Sequence, residues 1–246
     1  MIKISDVTKS FNNTVALDNI SLNIESGELY GLIGPDGSGK TTLFRLLTTL
    51  LYPDKGSLSV DGFDTIKDYA QIRKIVGYMP GKFSLYQDLT VEDNLNFFAS
   101  VFNIRLNDNL DSVNDIWKML APFKDRRAGR LSGGMKQKLA LCCALIHQPK
   151  VLFLDEPTTG VDPVSRYEFW IMLKKFNSEG ITIVVSTPYM SEAAECSKIS
   201  LIRNGKIIQT DTPRNLADKF GGKDSMIKDG IEQCFLQLND FKSESL

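Results

Sequence analysis

The run Gly34-Pro35-Asp36-Gly37-Ser38-Gly39-Lys40-Thr41-Thr42 has the spacing G-x-x-x-x-G-K-[ST], and its residue types are those that grip a nucleoside triphosphate. Glycines let consecutive backbone N–H groups curl around phosphate oxygens at the mouth of a helix. Lys40 is expected to bridge the β- and γ-phosphates, and the Thr41 hydroxyl to ligate Mg²⁺. A second group follows in Val151-Leu152-Phe153-Leu154-Asp155-Glu156, where two carboxylates end an apolar strand, the place where parallel α/β sheets put their ligands. Asp155 suits Mg²⁺ through a coordinated water, and Glu156 suits orienting and polarising the water that attacks the γ-phosphate. The third group is Leu131-Ser132-Gly133-Gly134-Met135-Lys136-Gln137, at the start of a helix continuing through Leu139, Leu141 and Leu145. Exposed N–H groups at such a terminus attract anions.

Each group needs elements that hold it. The apolar run 29–33 reads as a buried strand before the phosphate loop, and residues 42–51 have helical length and spacing after it. Residues 151–154 and 181–185 are continuous apolar runs joined by a helical segment around Tyr167 to Asn177, the pattern of parallel strands covered on both faces. The N-terminal third instead alternates apolar and polar residues at 2–4, 20–24 and 58–60, which suggests half-exposed, mainly antiparallel strands. Thr90-Val91-Glu92-Asp93 opens like a capping box, and the stretch from about residue 83 to 146 is expected to be a helical insert. Asn204-Gly205 between residues 199–202 and 206–209 predicts a hairpin. One domain over residues 1–220 is expected, with a tail over 221–246 containing a loop and one short docked helix.

Composition excludes several classes. With 29 basic and 30 acidic side chains, the net charge of −1 provides no basic field for nucleic acid. Cys142, Cys143, Cys196 and Cys234 show no C-x-x-C spacing, which fits a reducing cytoplasm. No apolar run approaches the roughly 20 residues that span a bilayer, so a membrane role is expected to need a partner. The single histidine, His147, has no second ligand cluster and reads as structural or surface rather than metal-binding.

Taken in order, the phosphate loop, helical insert, Leu131-Ser132-Gly133-Gly134 run, acidic strand and following Gly160-Val161-Asp162-Pro163 loop resemble the ATP-binding subunit of an ABC (ATP-binding cassette) transporter across nearly all 246 residues. The resemblance implies an α/β fold, a P-loop NTPase (RecA-like) core with an N-terminal antiparallel β subdomain and the helical insert. It implies Phe11 stacking on adenine, and ATP and Mg²⁺ as cofactors. Ser132, Gly133 and Gly134 would complete the nucleotide site of a second cassette in a head-to-tail homodimer or heterodimer. Separate transmembrane permease subunits would receive the cassettes at the inner face of the cell membrane, through the surface around residues 84–89. Residues 186–193 resemble the drug- and polymer-export branch.

Two positions depart from the pattern. Relatives usually carry glutamine after residues 76–80 and histidine after 185–187, whereas this chain has Gly81 and Pro188. Proline offers neither a side-chain donor nor an N–H, and losing one donor to transition-state charge costs about 10²–10³ in rate. With Glu156 retained, slow hydrolysis is expected; an ATP-driven dimerisation switch with negligible turnover is the alternative. Asp36 puts an acid beside phosphates, an unfavourable placement unless its side chain points away.

Overall fold

The computed structural model describes residues 1–82, 84–221 and 226–240. Alternating burial along β1 (Ile2–Phe11) and β2 (Thr14–Ile24) gives each strand one apolar face. They pair antiparallel, with Ile2 opposite Ile24 and Phe11 opposite Thr14. After β3 (Leu29–Ile33) and α1 (Lys40–Leu47), β4 (Lys55–Val60) and β5 (Phe63–Asp64) complete a four-stranded sheet of order β2-β1-β4-β5. Helix α1 ends at Leu47 rather than reaching residue 51 as its apolar pattern suggests. Thr48 Oγ1 donates to Phe44 O at 2.8 Å, and Thr49 turns to φ 62°, so the chain reverses before another helical turn forms.

The remaining elements build the second sheet and its cover. Helix α2 (Tyr69–Ile75) leads into β6 (Val76–Met79). Next come α3 (Val91–Val101), α4 (Leu106–Asn109), α5 (Asn114–Leu120) and α6 (Gly133–Leu145), with no strand among the described residues until β7 (Val151–Asp155). The expected capping box is formed: Asp93 N–H donates to Thr90 Oγ1 at 3.0 Å and Thr90 N–H to Asp93 Oδ2 at 3.2 Å. Phe83, where the insert was expected to begin, lies outside the described residues. Helix α7 (Pro163–Ser178), β8 (Thr182–Thr187), α8 (Met190–Ala193), β9 (Lys198–Arg203) and β10 (Lys206–Asp211) follow. The six strands run β10-β9-β3-β8-β7-β6, parallel except at β9/β10. Asn204 and Gly205, both at positive φ, make the predicted hairpin between β9 and β10.

Strands β3, β7 and β8 are buried at every residue because helices or the other sheet cover both faces. Helix α1 lies between the two sheets, its Phe44 ring 5.4 Å from that of Phe153 on β7. Burying one such ring contributes about 1.5–3 kcal/mol, which anchors the first turn of α1 and the phosphate loop before it. The docked helix of the tail is longer than expected. After α9 (Pro213–Gly221), α10 (Ile227–Asp240) is 14 residues long and buries Ile231 and Cys234 in the main core. Residues 222–225 and 241–246 of that tail lie outside the described residues.

His147 stacks flat on Phe102, ring centroids 3.7 Å apart, and its Nε2–H donates to Val76 O at 3.1 Å. Burial holds its pKa down at about 4. A depressed histidine pKa means that the unfolded chain takes up the proton first, so this contribution to stability is complete above about pH 6.5 and is lost as pH falls toward 4. Chemical denaturation at pH 7 and pH 4.5 should show wild type losing about 2 kcal/mol more than His147→Gln. Equal losses would reject the linkage.

Candidate functional site

The phosphate-loop residues sit between β3 and α1, where the parallel sheet presents its strand ends. Pro35, Asp36 and Gly37 form the exposed tip, while Gly34, Ser38 and Lys40 are buried. Gly39 has φ +109°, and a Cβ there would stand 2.6 Å from Ala16 O on β2. No residue with a side chain satisfies both constraints. That close approach, with Gly205 N–H donating to Ser38 O at 3.0 Å and Asp18 N–H to Gly205 O at 2.8 Å, ties the loop to β2 and to the β9/β10 turn. Phe11 ends β1 in the same hairpin, 44% exposed, with the Lys9 ammonium 5.6 Å from its ring centroid.

Lys40, 3% exposed, directs its ammonium to three oxygens: Gly34 O at 2.8 Å, Pro35 O at 3.0 Å and Glu156 Oε1 at 3.3 Å. The next residue continues the link to β7, since Thr41 Oγ1 donates to Asp155 Oδ2 at 2.8 Å. Asp155 is 2% exposed, and its other oxygen accepts from Ser186 Oγ at 2.5 Å. Ser186 was missed in the sequence, because its relevance depends on register: it stands opposite Asp155 in the β7/β8 ladder. Its Oγ and O both accept from the Glu156 N–H, at 3.2 and 3.0 Å. Glu156 itself adopts φ 51°, a left-handed conformation that costs a non-glycine residue on the order of 1–3 kcal/mol. Nearby Tyr78 has its pKa pushed up to about 12, first by burial and then by the Asp155 charge.

These residues fit a magnesium-bound triphosphate. Ser38 Oγ is a buried hydroxyl with no hydrogen-bond partner among the described residues. The Lys40 ammonium is preorganised at the base of an anion-binding loop, and the Thr41 and Asp155 oxygens are hard donors of the kind Mg²⁺ takes. Thr42, half-buried, continues α1 beside them. Asp36 is exposed at the tip, where water screens its charge.

Ser132, Gly133 and Gly134 lie at the head of α6, apart from this cluster. Ser132 caps the helix, its Oγ accepting from Met135 N–H at 3.3 Å. Gly133 faces the loop after β7, where an added Cβ would lie 3.7 Å from Gly160 O. No hydrogen bond among the described residues joins this turn to the phosphate loop. The two departures in sequence are close to the carboxylates. A Cβ at Gly81 would lie 3.0 Å from Asp155 O and 3.8 Å from Asp155 Oδ2, and Pro188 follows Thr187, whose carbonyl accepts from Gly34 N–H at 3.3 Å.

A groove opens beside the site, about 620 Å³, between β6 and helices α3 and α6. Leu85, Phe98 and Val101 give it an apolar wall, and Ser84, Arg73 and Lys74 also line it. Of the segment 84–89, Leu85 is buried and packs into the core, whereas Tyr86 is 49% and Leu89 37% exposed. Asn94 braces this segment, accepting from Tyr86 N–H at 3.0 Å and donating to Tyr86 O at 3.0 Å. Among the described residues no helix is long and apolar enough to cross a membrane.

Comparison with known proteins gives a consistent pattern. A family model described as ABC transporter matches residues 17–159. The probable multidrug ABC transporter ATP-binding protein YbhF of Escherichia coli K12 is 39% identical over 241 residues, covering 97% of this chain and 41% of that protein. The chain thus spans about two fifths of the length of the first curated relatives that it matches. The ABC transporter ATP-binding protein NatA of Bacillus subtilis 168 is 33% identical over 232 residues, covering 91% of this chain and 94% of NatA. Among solved structures, the dimeric post-hydrolysis state of the ATP-binding cassette MJ0796 bound to ADP and Pi superposes with a TM-score of 0.78 at 27% identity, covering 86% of this chain and 98% of that one.

The tightest constraint on the α6 turn is steric. A Cβ at Gly134 would come within 2.6 Å of Ser165 Cβ on α7, so Gly134→Ala should destabilise the fold by about 1–3 kcal/mol. Denaturation of Gly134→Ala, Ser165→Gly and the double variant should recover most of that loss in the Ser165→Gly background. Strict additivity would disprove the clash.

Proposed function

The chain belongs to the ABC transporter family, and we propose that it is the ATP-hydrolysing motor subunit of a membrane transporter, an exporter, working as a head-to-tail nucleotide-sandwich dimer. The observation that carries this reading is the convergence of Lys40 and Glu156 at 3.3 Å with the bonded set Thr41, Asp155 and Ser186 beside them. The backbone N–H groups of residues 36–42 and Lys40 bind the phosphates within the Gly34–Thr42 loop, and Phe11 stacks on the base. Mg²⁺, when bound, neutralises charge on the phosphate oxygens; Thr41 and Asp155 are the residues that would hold it. Glu156 orients the attacking water and polarises it from the side of Lys40, where negative charge grows on the γ-phosphate. Its N–H bonds to Ser186 fix the carboxylate's origin, so little reorganisation is needed when the reaction proceeds.

Ser132 and Gly133 are exposed and, among the described residues, make no hydrogen bond to the phosphate loop of their own chain, which supports their service to a neighbouring cassette. ATP then joins the two copies, and hydrolysis releases them. The groove supports a short amphipathic helix of a permease subunit as its occupant, with the cassette held peripherally on the cytoplasmic face of the membrane. Gly81 and Pro188 favour a second reading, in which nucleotide drives dimerisation and turnover is negligible. Glu156 and its bonding support slow hydrolysis over that alternative.

Lys40→Ala should abolish tight Mg-ATP binding by calorimetry, whereas Glu156→Gln should bind normally and accumulate as an ATP-bound dimer in sizing experiments. Wild type should release phosphate faster than Glu156→Gln; matching background rates would leave only the switch reading. For the groove, Val101→Glu should strip the cassette from membranes containing its permease without altering nucleotide affinity. Retention at the membrane would refute docking there.

A further inference from the structure

A partly buried ionic cluster lies behind the site, joining the segments that leave β7 and β8. Glu192, on the short helix α8 after β8, is 2% exposed. Its Oε1 accepts from Thr158 Oγ1 in the turn after Glu156 and lies 3.6 Å from Arg166 Nε on α7. Thr158 is itself 1% exposed. The Arg166 guanidinium stacks 4.9 Å from the Tyr189 ring centroid, and its Nη2 donates to Val161 O at 3.5 Å. Internal bonds shape the turn, Thr159 N–H to Glu156 O at 3.3 Å and Val161 N–H to Thr158 O at 3.1 Å. Thr158 and Arg166 attach that turn to the segment carrying Pro188. Tyr189 N–H continues to Thr187 Oγ1 at 3.0 Å, and Thr187 O accepts from Gly34 N–H.

Stability alone is a poor reason for this cluster. Among the described residues Glu192 Oε2 and Arg166 Nε are buried atoms without hydrogen-bond partners, and a carboxylate buried with an unused oxygen costs desolvation that a half-buried arginine only partly offsets. What the cluster does supply is a fixed distance between the Glu156 turn and the strand end beside the phosphate loop. The left-handed Glu156 needs such outside support to persist.

We propose that Glu192, with Thr158 and Arg166, positions the Glu156 carboxylate for hydrolysis; the inference rests on the hydrolytic reading given above. Glu192 touches no reacting atom and acts through the turn. Removing the Thr158 hydroxyl isosterically, in Thr158→Val, should lower kcat about tenfold to a hundredfold, the range for misplacement of a reacting group by about 1 Å. KM for ATP and the affinity for Mg-ATP should stay within about twofold, because the phosphate loop keeps its separate anchors, Gly39 against Ala16 O and Ser38 O to Gly205 N–H. Thr158→Ser keeps the hydroxyl and should restore turnover. Glu192→Gln, which keeps an acceptor but leaves Arg166 without its counter-charge, should fall between these variants if it folds. Steady-state phosphate release, nucleotide titration and thermal melting of the full chain read all of this. Wild-type turnover in Thr158→Val, with or without a lowered Tm, would overturn the positioning role alone. Wild-type release no faster than that of Glu156→Gln would overturn the hydrolytic reading and this inference with it.

Discussion

One buried carboxylate holds the site together. Asp155 accepts one hydrogen bond from Thr41 on α1 and another from Ser186 on β8, while belonging to β7. Three elements are thereby joined at a group that is 2% exposed. A buried charge is tolerated only where it is well bonded, so α1 cannot slide along the sheet, nor β8 slip against β7, without stranding that charge. The parallel register of β7 and β8 and the docking of Phe44 on Phe153 satisfy the same condition from the apolar side.

From this fixed point the remaining geometry follows. Glu156, one residue later, leaves the strand through a left-handed turn that brings its side chain to Lys40 rather than into the sheet. Lys40 closes the carbonyls of Gly34 and Pro35. The turn beyond Glu156 is then pinned by Thr158 to Glu192. The α6 turn bearing Ser132 and Gly133 belongs to a different surface, packed through Gly134 against α7. In the proposed reading these two turns are complementary parts of a nucleotide site shared between two cassettes.

Much of this was legible in the residues. Continuous apolar runs identified the covered parallel strands, and alternation identified the antiparallel sheet. Asn204-Gly205 identified a hairpin and Thr90 with Asp93 a capped helix. The errors have physical causes. Residues 42–51 are apolar enough to continue a helix, but Thr48 bonds back to Phe44 and Thr49 turns left-handed. The docked helix of the tail was expected to be shorter because few apolar residues mark it, yet α10 docks through Ile231 and Cys234.

The sequence alone determined which chemistry was available. A glycine-rich loop ending in Lys40-Thr41, two acids at a strand end and a second glycine pair before a helix are local patterns, because each depends on backbone freedom or charge within a few residues. Only the tertiary structure decided which of these groups meet. Lys40 and Glu156 are 116 residues apart in number and 3.3 Å apart in space, and Ser186, Thr158, Arg166 and Glu192 acquire roles solely through strand register and helix packing. Long-range hydrogen bonds and ion pairs are set by how the sheet and helices close around the core, and no local spacing encodes them.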